Sequence, residues 1–170
     1  MKKILITFVL MISSITIQAQ DIFAAARTNN VTELKQMIED KIDINQSNSK
    51  GFTPLILAVY NNSVDAVELL LANGANPNAQ DVSGNNALMG ASFKNLPKVA
   101  KILLDNNADV NQLNNNGASA LIFAATFGKP EMLKLLLDAG ADKTIKDNSG
   151  KTAFNHATIQ ENTESISLLK

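Results

Sequence analysis

The chain has 170 residues, with 15 Lys and Arg against 16 Asp and Glu, a single His and no Cys. That length suits one domain, and the near-neutral charge lacks the basic stripe that a nucleic-acid surface needs. The missing cysteine excludes disulfides, thiol catalysis and an acyl-anchored lipoprotein start, and one histidine alone leaves no zinc site of the usual kind.

The first residues differ from everything after them. Lys2-Lys3 make a short positive start, Ile4 to Ile17 are apolar apart from Thr7, Ser13, Ser14 and Thr16, and Gln18-Ala19-Gln20 is a small polar end. That is the layout of a secretory signal peptide. The apolar stretch is shorter than the roughly 20 residues needed to span a bilayer, so no permanent anchor is expected. Residues 1–19 are read as the signal, with a cut after Ala19 or, alternatively, after Gln20. The protein is then expected to be exported, either periplasmic or secreted, most simply from a bacterium. Losing Lys2 and Lys3 leaves 13 basic and 16 acidic residues, a net charge near −3.

From Asp21 onward the sequence repeats. Gly51, Gly84, Gly117 and Gly150 follow one another at intervals of 33 residues, and each is followed seven positions later by an alanine: Ala58, Ala91, Ala124 and Ala157. A period of this size marks a stacked repeat architecture. The units run 21–50, 51–83, 84–116, 117–149 and 150–170. Thr53, Asn86, Ser119 and Thr152 are helix N-cap types, and Pro54 suits the first helical position. A second helix opens near Ser63, with Pro97 and Pro130 in its first turn in the next two units. It closes before Gly74, Asn107 or Gly140, residues that tolerate the left-handed conformation after a helix. The core is expected at Ala58, Leu69, Ala91, Leu103, Ala124 and Leu136. Asn48, Asp81, Asn114 and Asp147 recur three residues before the hairpin glycine, where an Asx side chain ties a turn. Residues 21–50 form a degenerate first unit, with Ala25 in register and Lys41 in place of the loop glycine. The last unit carries a polar run from Glu161 to Ser167, suited to facing water at the end of a stack.

These residues resemble the ankyrin repeat. Thr53-Pro54-Leu55 is similar to that family's helix-opening Thr-Pro-Leu, and Gly74-Ala75-Asn76-Pro77-Asn78 to its closing loop. Leu135 to Asp142 follow the family pattern throughout. The resemblance covers nearly all of 21–170 and implies an all-α solenoid of stacked helix-turn-helix units with short β-hairpin loops. It also implies protein binding through the concave face and hairpin tips. The family's histidine after Thr-Pro-Leu is replaced by Ile56, Met89, Ile122 and Asn155, and its helix-linking glycine survives only as Gly128. Without that histidine's hydrogen bonds between units, apolar packing is expected to hold the stack, with ordinary stability.

An enzyme is not expected, and no cofactor or metal is called for. His156 stands where Leu57, Gly90 and Phe123 stand in other units, which reads as a structural histidine. No Gly-rich phosphate loop ending in lysine is present. What the repeat leaves unexplained is the end of each first helix: Tyr60-Asn61, Phe93-Lys94, Thr126-Phe127 and Ile159-Gln160. The resemblance places these positions on the concave surface, so Tyr60, Phe93 and Phe127 are expected to form an apolar stripe for a protein partner. Phe52 and Val82 extend it toward the first two tips, Leu113 is a further candidate, and Asn61 and Lys94 flank it. Lys50, Lys94, Lys146 and Lys151 at the rim would suit an acidic partner. The alternative for the rings is that they fold inward to fill gaps. The expected protein is a monomeric, exported, non-enzymatic scaffold. A host-directed effector, a toxin-neutralising immunity protein, or a small-ligand or glycan binder using the concave rings remain alternatives.

Overall fold

The computed structural model describes residues 21–170; the segment read as a signal peptide lies outside the described residues. Among the described residues there are ten helices and no strand. They come as five antiparallel pairs. The first helices are α1 (Ile22–Arg27), α3 (Pro54–Tyr60), α5 (Ala87–Lys94), α7 (Ala120–Thr126) and α9 (Ala153–Ile159). Their partners are α2 (Val31–Glu39), α4 (Val64–Ala72), α6 (Pro97–Asp105), α8 (Pro130–Asp138) and α10 (Thr163–Leu169). Each helix is too short to be stable alone, so its persistence depends on burial against its neighbours.

The recurring alanine decides how these pairs stack. Ala25, Ala58, Ala91, Ala124 and Ala157 are all at most 1% exposed. With only a methyl at each contact, the first helices approach one another far more closely than the second helices do. The second layer is held apart by larger buried side chains, Met37, Leu70, Leu103 and Leu136. A stack tight on one side and wide on the other must curve. The first helices therefore form the concave layer and the second helices the convex one. One expected core residue is corrected: Leu69 is only half-buried, and Leu70 fills the site equivalent to Leu103 and Leu136. Adjacent helical residues are about 100° apart around the axis, so only one of each apolar pair can face the core.

Helix ends follow local chemistry. Thr53, Asn86 and Thr152 accept the amide of the third helical residue, at 3.2, 2.9 and 3.4 Å. Ser119 does not: its hydroxyl is buried without a partner. Gly74, Asn107 and Gly140 take positive φ of 89°, 66° and 86° after their helices. At each tip the Asx side chain gathers two turn amides; Asp81 Oδ1 accepts from Ser83 and Asn85, and Asn114 Oδ1 from Asn116 and Ala118. The tip glycines combine positive φ with crowding. A β-carbon on Gly51 would lie 2.7 Å from the Val82 nitrogen, and one on Gly84 2.6 Å from that of Asn115.

The stack is not held by apolar packing alone, contrary to the expectation drawn from the missing histidines. Asn45, Asn78 and Asn111, one period apart, each clamp the loop of the next unit. Their side-chain oxygens accept from Asn76, Asp109 and Asp142, each at 2.8 Å. Their side-chain nitrogens donate to the carbonyls of Gly74, Asn107 and Gly140 at 3.2, 3.2 and 3.4 Å. The tips are joined as well: Val82, Asn115 and Asn148 donate their amides to Lys50, Ser83 and Asn116 of the preceding tip. A hydrogen bond contributes a net ~0.5–1.5 kcal/mol. Replacing Asn78 by Ala removes two and should lower unfolding stability by roughly 1–3 kcal/mol in a urea titration. Asn106→Ala, whose side chain only bonds back to Ile102 of its own helix, should change it little. Equal effects of the two would show that the clamp adds nothing.

Candidate functional site

The concave layer exposes what its packing cannot absorb. Six to eight residues per first helix leave the last turn projecting past the alanine contact, and that is where the rings sit. Phe93, in the last turn of α5, and Phe127, which caps α7, are 42% and 44% exposed. They meet edge to face with centroids 4.8 Å apart, and Phe127 also stacks on half-buried Phe123 at 6.4 Å. Edge-to-face geometry is favoured because the positive ring edge meets the negative face. Two adjacent units thus present one fixed aromatic pair.

Tyr60 is placed differently. Its ring lies against Gly90 of the next unit, where an added β-carbon would sit 3.4 Å from it, and it packs on Phe52 with centroids 6.0 Å apart. The helical glycine leaves a gap that the tyrosine fills. Burial, and then the nearby charge of Asp81, push the phenol pKa above its ordinary value. The row of three rings is therefore divided: Tyr60, packed on Phe52, is half-buried, and Phe93 and Phe127 form an exposed pair. Val82 and Leu113 are 68% and 44% exposed on the approach to the tips. Ile159, noted at the same register as Tyr60 and Phe93 but left out of the expected stripe because it is not aromatic, is 59% exposed. Lys94 and Asn61 are exposed; the Asn61 side chain bonds back to the Leu57 carbonyl at 2.8 Å.

Beside Ile159, an open hollow of about 400 Å³ is lined by Gly150, Lys151, Phe154, Asn155, Thr158 and Ile159. It is a shallow depression, not an enclosed cage. In inner units, the positions equivalent to Asn155 and Thr158 hold Ile56, Met89 and Ile122, or Val59, Ser92 and Ala125, all buried by the following unit. In the last unit both turn polar and exposed. Among the described residues no group of three or more His, Cys, Asp and Glu side chains is placed to hold a metal ion.

Two comparisons bear on this architecture. Residues 88–170 match a family model described as ankyrin repeats in three copies, and residues 37–91 match one described as ankyrin repeats in many copies. The chain is an ankyrin-repeat protein. The matched region begins inside α2, leaving α1 and the start of α2 outside it. No curated protein matches the chain. Ankyrin repeats are generally scaffolds for protein–protein interaction.

His156 has a structural role within the ankyrin fold. Its Nε2 lies 2.7 Å from Asp147 Oδ2, joining α9 to the last tip, with both side chains largely buried. Asp147 also accepts the Ser149 hydroxyl at 2.7 Å and the amides of Ser149 and Lys151. The Ser149 hydroxyl foremost, then the Lys151 amide and His156, hold the Asp147 carboxyl well below the usual carboxylate range, against the opposing effect of burial. A depressed folded pKa means stability present above the unfolded value, about 3.9 for Asp, and lost as pH falls below it. Asp147→Asn keeps a residue that forms the same turn at Asn48 and Asn114 but removes the charge. The urea midpoint of the parent should exceed that of the variant at pH 6, and the gap should narrow below about pH 4. A gap that stays constant down to pH 2.5 would place the pH sensitivity elsewhere.

Proposed function

We propose that this ankyrin-repeat protein is an exported, non-enzymatic scaffold that binds another protein through its concave layer and tips. The observation that carries this reading is the exposed Phe93–Phe127 pair. Large apolar side chains exposed together on a soluble domain mark interaction surfaces, and aromatic residues are favoured anchors at such surfaces. Val82, Leu113 and Ile159 continue the apolar area along the same face. The open hollow beside Ile159 lacks the enclosure that buries most of a small ligand, which favours a protein over a sugar or metabolite. Export rests on the sequence of residues 1–20 and makes the partner an extracytoplasmic protein. Stoichiometric binding then controls that partner's activity or position.

Phe93 and Phe127 can be tested without disturbing the stack, whereas Tyr60 fills the Gly90 gap and is unsuitable. A Phe93→Ala, Phe127→Ala double variant should keep its helical circular dichroism and lose partner captured from the extracytoplasmic fraction by at least roughly 30-fold, the equivalent of about 2 kcal/mol at a hot spot. Glu68→Ala, Lys101→Ala, Lys134→Ala on the convex layer should capture it normally. Loss with the convex variant and retention with the concave one would move the working surface to the other side. The protein recovered from that fraction should begin at Gln20 or Asp21; an intact Met1 would contradict processing.

A further inference from the structure

The distribution of charge over the two helix layers is uneven in a way that stacking does not require. The five concave helices contain no Asp or Glu at all; their only formal charges are Arg27 and Lys94. The five convex helices carry eight acids and four bases. The chain as a whole is slightly acidic, so the concave layer is opposite in sign to the molecule that presents it. Acids border this layer at Asp21, the N-cap of α1, which pairs with Arg27 at 3.8 Å, at Glu161 in the turn after α9, and at the tips, where they are engaged. Asp81 draws in the amides of Ser83 and Asn85, and Asp147 is paired with His156. Lys94 follows Phe93 directly, is exposed, and has no ion pair among the described residues. Lys50 and Lys151 hold the first and last tips. A lysine one residue from an edge-to-face aromatic pair, on helices free of acids, suits an apolar side chain and a neighbouring carboxylate together.

We infer that the partner presents an acidic, extended peptide segment, with an aromatic or branched aliphatic side chain seated at Phe93–Phe127 and an Asp or Glu beside it on Lys94. This rests on the concave-face reading proposed above and adds the partner's chemistry to it. Opposite charges across such a surface steer association and set selectivity more than they add affinity. They also make binding weaken as salt rises, because exposed charges are screened beyond about 8 Å at physiological ionic strength. An apolar-only partner would show no such dependence.

The test is selection from a random-sequence peptide library displayed on phage against the purified protein, followed by affinity measurements on synthetic copies of the enriched peptides. Enriched peptides should combine at least one aromatic or branched aliphatic residue with Asp or Glu and carry net negative charge. Lys94→Glu should weaken them by roughly tenfold or more, replacing their acids by Lys should do the same, and Lys101→Glu on the convex layer should not. Peptides that are neutral or basic, yet are still lost on Phe93→Ala and Phe127→Ala, would overturn the charge inference while leaving the concave scaffold standing. Peptides indifferent to both phenylalanines and to Lys94, or no enrichment at all, would overturn both. Tighter binding to phosphatidylglycerol vesicles than to any acidic peptide, abolished by Lys94→Glu, would assign the surface to lipid and overturn the peptide partner.

Discussion

The close approach of the first helices at a column of alanines is the contact on which the rest of this molecule depends. Ala25, Ala58, Ala91, Ala124 and Ala157 let one layer of helices nearly touch, while methionine and leucines keep the other layer apart. Curvature follows from that difference in side-chain volume. So does exposure: a first helix pinned at its middle by a methyl contact must project its last turn, and whatever stands there is offered to solvent. Phe93, Phe127 and Ile159 stand there. One small residue per unit thereby links core packing to the surface that can recognise a partner.

Polar contacts add what apolar packing lacks, which is register. Hydrophobic burial is non-directional, and two helix pairs could slide along one another with little loss. The asparagine clamps at Asn45, Asn78 and Asn111 have fixed donor and acceptor geometry and allow one offset only. The tip-to-tip amide bonds repeat the constraint on the opposite edge of the stack. Thr144 stands in the next clamp position and turns back on Asp142 instead. The clamp thus ends in unit 117–149, one unit before the one in which Asn155 and Thr158 make the exposed face polar.

Much of this was legible in the sequence because it is local and repeated. The period, the caps at Thr53, Asn86 and Thr152, and the Asx turns each follow from a residue and its immediate neighbours. Failures share a cause: they needed knowledge of what lies across the interface. Leu69 and Leu70 are equally apolar, and only the neighbouring helix decides which is core. Ser119 obeys the cap rule in type but not in orientation. An asparagine in a loop reads as a turn former, and the recurrence of Asn45, Asn78 and Asn111 was the unused sign that these three do more. Tyr60 read as one of three equivalent rings until Gly90 of the next unit showed a gap for it to fill.

The candidate face is thus a consequence of the layer geometry rather than a feature added to it, and the geometry can be tested at one atom group. Ala91 lies at the centre of the alanine column, fully buried. Urea unfolding of Ala91→Leu should show a loss of about 1–3 kcal/mol from overpacking the closest helix contact, with Ala72→Leu on the exposed end of α4 as control. An Ala91→Leu protein that unfolds at the parent's urea concentration would contradict the account, because the concave layer would then have room that this structure denies it.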